Sequence, residues 1–97
     1  MTLLEEVKNY LDITWETTEA ENLKLTGMIE RGKINISGKV GECDFDSETQ
    51  EKSLLLMHVM YERSSALNEF WSNYRGEIMS LRLRKRVLNY EAEKQQI

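Results

Sequence analysis

The chain has 97 residues, 40% hydrophobic and 31% charged, with a formal net charge of -4. That length supports one domain with a modest core, residues 1–97 as a single unit, and leaves no room for a second. No apolar run approaches the ~20 residues that span a bilayer, and the opening MTLLEEVKNY lacks the basic-then-apolar order of a secretory signal, so a soluble intracellular protein without a membrane partner is expected.

Three positions carry a helix-start pattern, a hydroxyl residue three places before Glu or Gln: Thr2 with Glu5, Thr18 with Glu21, and Ser47 with Gln50. The first predicts a helix from about Leu3 to Leu11, with Leu3, Leu4, Val7, Tyr10 and Leu11 on one face. Ile13 and Trp15 then fall in a connection that can pack back on the core. The second start predicts a helix over about Glu19 to Ser37, with Leu25, Met28, Ile29 and Ile36 as its apolar repeat. Gly27 and Gly32 each weaken it by roughly 1 kcal/mol relative to Ala unless they admit a close neighbouring helix.

Gly38 and Gly41 are expected to end that helix and open the acidic loop KVGECDFDSE. Asp44 and Asp46 invite a calcium reading, but the graded ligand spacing and closing glutamate of a calcium loop are missing, which favours a solvated acidic loop. Cys43 has no second thiol to pair with and sits among acids, which raise a thiol pKa, so it reads as an inert loop thiol in a reduced compartment.

SLLLMHVMYERSSAL is nearly apolar all round, which predicts the central helix of a bundle, from near Ser47 to near Ser65. Its His58, the sole histidine, reads as a hydrogen-bonded core or interface residue rather than a base or a ligand. The segment from Ala66 places Leu67, Trp71, Tyr74, Ile78, Leu81 and Leu88 at helical spacing, predicting one long amphipathic helix. A strand or extended arm over Met79 to Arg84 is the competing reading, because MSLRLRK also alternates. Residues 88–97 read as a tail that can be mobile. The expected fold is therefore all-α, a small bundle of about four helices with a long C-terminal helix or arm.

No glycine-rich phosphate loop, histidine or cysteine metal set, or nucleophile-base constellation is present in the sequence, so neither catalysis, a cofactor nor a metal is expected. Charge, however, is divided unevenly. Residues 1–51 hold 12 acids and 5 bases, whereas residues 52–97 hold 5 acids and 8 bases, a polarity that can steer docking. Four of those bases, Arg82, Arg84, Lys85 and Arg86, are clustered in SLRLRKR.

In order along the chain, LLEEVKNYLDITW, SLLLMHVMYERSSAL and NEFWSNYRGEIMSLRLRKR resemble the small head-tail connector proteins of tailed bacteriophages and prophages, also described as head-completion or DNA-packaging proteins. The resemblance rests on Leu4, Glu5, Glu6, Val7, Tyr10, Leu11, Asp12 and Ile13; on Met60, Tyr61, Glu62 and Arg63; and on Phe70, Tyr74, Ile78, Leu81 and Arg82. The glycine-containing second helix and the dense basic cluster depart from the family pattern.

The resemblance implies a structural subunit without cofactor or turnover, located at the head-tail junction of the virion and in host cytoplasm before assembly. About a dozen copies would form a ring on the portal protein, extend the DNA channel without sequence-specific binding, and offer the far face to the next connector or tail protein. Phe70, Trp71, Tyr74, Ile78 and Leu81 would then serve the core or the subunit interface.

Three readings of Arg82, Arg84, Lys85 and Arg86 stand open: a solvated helix face with ion pairs, a docking arm for the portal or a neighbouring subunit, and a contact with DNA phosphate. The alternative to a connector is a small helical regulator that binds DNA or another protein through this patch, although a pI near 5.0 argues against a recognition domain for DNA.

Overall fold

The computed structural model describes residues 1–95, and among them the regular secondary structure is entirely helical: α1 (Leu3–Tyr10), α2 (Glu19–Val40), α3 (Gln50–Arg63), α4 (Leu67–Asn73) and α5 (Arg75–Gln95). The all-α expectation holds. The count of about four becomes five because the final segment is broken at Tyr74, whose φ of -106° and ψ of 12° leave the helical region. The competing strand over residues 79–84 is helix. Residues 88–95 of the predicted tail continue α5, and 96–97 lie outside the described residues. None of the described helices is long and apolar enough to cross a membrane.

Two of the three predicted starts form as read. At α1, Thr2 Oγ1 accepts from the Glu5 N–H while the Glu5 carboxylate accepts from the Thr2 N–H, both at 3.2 Å. Thr18 and Glu21 repeat that reciprocal pair at α2. The third start lies two residues later than predicted. Ser47 is held in the loop, where its N–H and that of Asp46 donate to the Asp44 carboxylate at 3.2 and 2.9 Å. Thr49 caps α3 instead, accepting from the Lys52 N–H at 3.2 Å while its hydroxyl donates to the Asp44 carbonyl at 2.6 Å.

α1 and α3 end by the same device. In α1 the Asp12 N–H donates to Asn9 O and the Ile13 N–H to Lys8 O; in α3 the Ser65 N–H donates to Glu62 O and the Ala66 N–H to Tyr61 O. Each is the paired closure of a Schellman turn, and Asp12 (φ 58°) and Ser65 (φ 57°) occupy the left-handed position that glycine usually takes. The first closure swings Ile13 onto the core. α2 runs three residues beyond its predicted end, through Gly38. Its end is set by Gly41, whose φ of 100° is open to glycine and whose N–H donates to Ser37 O.

α2 and α3 form the central antiparallel pair, with Arg31 meeting Glu62 and Asn35 meeting His58. Leu25, Ile29, Gly32, Ile36 and Val40 make the buried stripe of α2, recurring every three or four residues as a core-facing helix requires. Gly32 is the point of closest approach: a Cβ there would lie 2.6 Å from Leu55 Cδ1 and 3.2 Å from His58 Nδ1. Gly27 has no such neighbour from another helix, only its own helix's Arg31 side chain. α3 supplies Leu54, Leu55, His58 and Val59 to the core, α1 supplies Val7, α4 supplies Phe70, and α5 supplies Ile78 and Leu81.

Candidate docking surface

The cations of SLRLRKR separate once the helix is wound. At ~100° per residue, positions 82 and 84 lie about 160° apart around α5, so adjacent basic residues face different neighbours. Lys85 turns toward the start of α3: its Nζ donates to Glu51 Oε2 at 2.9 Å and to the Glu42 carbonyl at 2.7 Å. Arg84 donates to the Gln50 side chain, which also donates to Glu77 at 3.0 Å. These contacts tie α5 to the loop and to α3. Arg82 and Arg86 remain exposed.

The Lys85 latch has a buried acid at its centre. Burial alone would raise the Glu51 carboxyl, but Lys85, Glu51's own N–H and the Asp44 N–H outweigh it and hold the group below its ordinary range. Nearby, Lys52 pairs with Glu6 at 2.7 Å and Glu48 at 2.9 Å, and those two contacts hold its pKa above the usual lysine value. The acidic loop is thus fastened at both sides of the α3 N-terminus.

Toward the start of α5, Lys39, Trp71, Arg75, Ile78, Met79 and Arg82 line a groove of about 260 Å³. Lys39 Nζ stands 5.7 Å from the centre of the Trp71 ring, within the range of a cation–π contact. No ion pair among the described residues includes Lys39, Arg75 or Arg82. The sequence reading found Arg82 but missed Lys39 and Arg75. Arg75 is seven residues before Arg82, hence on the same helical face, and that spacing was a usable signal. Lys39 is brought in from α2 by packing, and no local pattern announces it.

Farther along α5, Met79, Leu83, Val87 and Tyr90 follow one another at three- and four-residue spacing and are about half to two-thirds exposed, at 49%, 56%, 55% and 65%. A stripe of this kind on a helix is left uncovered by the chain's own core.

Of the aromatic segment FWSNY, Phe70 is fully buried, and its ring centre lies 5.3 Å from those of His58 and Tyr74 and 4.9 Å from that of Trp71. Trp71 and Tyr74 are half-buried, whereas Ile78 and Leu81 belong to the core. His58 is also fully buried, edge-on to Phe70 and Trp71, with Nε2 3.4 Å from the Asn35 amide and Nδ1 unpartnered. Burial pushes its pKa down, Glu62 opposes and Arg31 assists, which suits a neutral core imidazole.

Cys43 is half-buried and donates to the Gly41 carbonyl at 3.2 Å; burial is the main reason its thiol pKa is raised. Asp44 is held low by Ser47's side chain and by the Asp46 and Ser47 N–H groups, which form a loop turn. No cluster of His, Cys, Asp and Glu suited to a metal ion occurs among the described residues.

Comparison of the chain with protein-family models, curated proteins and solved structures finds no match.

Proposed function

We propose that this chain is a structural assembly subunit, a head-tail connector of a tailed phage or prophage, in which α5 serves as the docking arm. The observation that carries the reading is the uncovered stripe of α5, Leu83, Val87 and Tyr90, set beside the exposed cations Arg82 and Arg86. An apolar stripe rimmed by arginine has the make-up of a protein–protein contact. The proposed partners are the portal protein on one side and the next connector or tail protein on the other, with copies of this chain in a ring around passing DNA. Of the four cations, Lys85 and Arg84 position the arm by fixing α5 to α3, and Arg82 and Arg86 are free to meet a partner surface.

The test is deletion of the coding sequence from the genome that carries it, followed by induction. The expected outcome is filled heads and free tails that fail to join, rescued by the wild-type chain and not by Leu83→Glu with Tyr90→Glu. Undiminished tailed, infectious particles from the deletion would refute the proposal. Duplex DNA binding with sequence preference at moderate salt would instead favour the regulator.

A further inference from the structure

We propose that the groove formed by Lys39, Trp71, Arg75 and Arg82 receives the acidic loop of a second copy of this chain, making a head-to-tail contact. The proposal rests on the reading of the chain as an assembly subunit and names the two surfaces through which copies meet.

The groove offers three cations, and none is in an ion pair among the described residues. Its floor is apolar, with Trp71, Ile78 and Met79 between the charges. A binding surface of this composition selects an anionic partner segment. The chain itself carries one. Glu42, Asp44, Asp46 and Glu48 are all exposed, and no ion pair among the described residues takes up Glu42, Asp44 or Asp46. The Asp44 turn and the Thr49 cap hold this loop in one shape, which lowers the entropy lost on docking.

In its own chain the loop lies outside the groove. It is fastened through Lys85 to Glu42 O and through Asp44 N–H to Glu51. The groove is lined by Lys39, Trp71, Arg75, Ile78, Met79 and Arg82, and none of the loop carboxylates is among them. One body therefore presents an acidic loop and a basic groove as two separate surfaces. Two unlike faces of one subunit pair heterologously, so each added copy presents a fresh acidic loop and a fresh groove, and the contact propagates into a closed ring or an open filament. A nucleic-acid occupant fits less well, because the whole chain carries a net charge of -4 and its acidic loop would repel phosphate.

The test uses three full-length variants: Arg75→Glu with Arg82→Glu in the groove, Glu42→Lys with Asp46→Lys in the loop, and all four together. Self-association is followed by light scattering and sedimentation up to about 1 mM protein at low and moderate salt, where charge steering is screened over a Debye length of ~10 Å at 0.1 M. The wild type should associate with concentration and weaken with salt. Each two-site variant should weaken association at least about tenfold, and the four-site variant, with its charges exchanged, should recover it. An equimolar mixture of the two-site variants should also associate.

A wild type that stays monomeric throughout overturns the proposal, and so does association that both two-site variants leave unchanged. Failure of these outcomes is separable from failure of the connector reading. Lost particle assembly on gene deletion with a monomeric protein rejects this contact alone, whereas charge-dependent association with undiminished infectious particles rejects the connector reading alone.

Discussion

Gly32 shows how a single residue sets the distance between two helices. As a helix-interior glycine it costs about 1 kcal/mol against alanine, yet a methyl group there would meet Leu55, a fully buried side chain with little freedom to retreat. Gly32→Ala should therefore destabilise the fold by up to ~2 kcal/mol net, since overpacking costs ~1–3 kcal/mol and the helix gain offsets about 1 of it. Gly27→Ala should stabilise it by up to about 1 kcal/mol, because only the exposed Arg31 guanidinium has to move. Urea midpoints of the two variants measure both signs. The sequence named both glycines as candidates for a close approach, but it could not say which one faces α3, because that depends on the partner helix.

His58 makes a second prediction at the same scale. Its folded pKa is depressed, so the unfolded chain binds more protons as pH falls through the ordinary histidine value of ~6.5. The stability that the neutral imidazole contributes is fully present above that pH and is lost on acidification toward the lower folded pKa. Tm should fall between about pH 7 and pH 5. The Hε1 and Hδ2 resonances of this one imidazole should titrate below the ordinary range, and a midpoint at or above ~6.5 would contradict the burial account.

Helix starts are settled by local competition for backbone hydrogen bonds. The hydroxyl-to-acid spacing located α1 and α2 to the residue, because a capping box is a local hydrogen-bond exchange that needs no tertiary partner. The same spacing misplaced α3, where the Asp44 turn captured Ser47 first. Thr49→Ala should cost about 1 kcal/mol, and Ser47→Ala should cost less than half as much, in paired denaturation curves. The left-handed Ser65 makes the opposite prediction. Ser65→Gly should stabilise by ~0.5–1 kcal/mol, since glycine adopts that conformation without the Cβ clash. The break at Tyr74 lies two residues before Gly76, a weak helix former, and it coincides with the packing of Phe70 against His58, Trp71 and Tyr74.

For the whole molecule, the question is which parts of α5 belong to the body and which face outward. Ile78 and Leu81 anchor the helix in the core, and Lys85 latches it to Glu51 and Glu42. Beyond the latch the apolar side chains Val87 and Tyr90 are exposed. Leu83→Glu with Tyr90→Glu should thus leave Tm within about 2 °C of wild type, a shift under ~0.5 kcal/mol for surface sites. Lys85→Ala should lower it, because a buried carboxylate loses its partner, a loss of ~3 kcal/mol or more where burial is complete and less at this partly exposed edge. Thermal melts of the two variants separate a docking arm from a structural strut.

Legible in the residues alone are the helical character of the chain, the starts of two helices, the central place of the segment around Leu54 and Val59, and the division of acid and base along the length. Those properties follow from period, capping chemistry and composition, which act over a few residues. Which cations are taken up inside the chain and which stay open depends on how the helices pack. The winding of one helix gives Arg82, Arg84 and Lys85 different neighbours, and Lys39 joins Arg75 and Arg82 only because α2 and α5 pack side by side. Contacts between residues more than forty positions apart, such as Lys85 with Glu42 O, are set by the meeting of whole elements, and no local pattern encodes them.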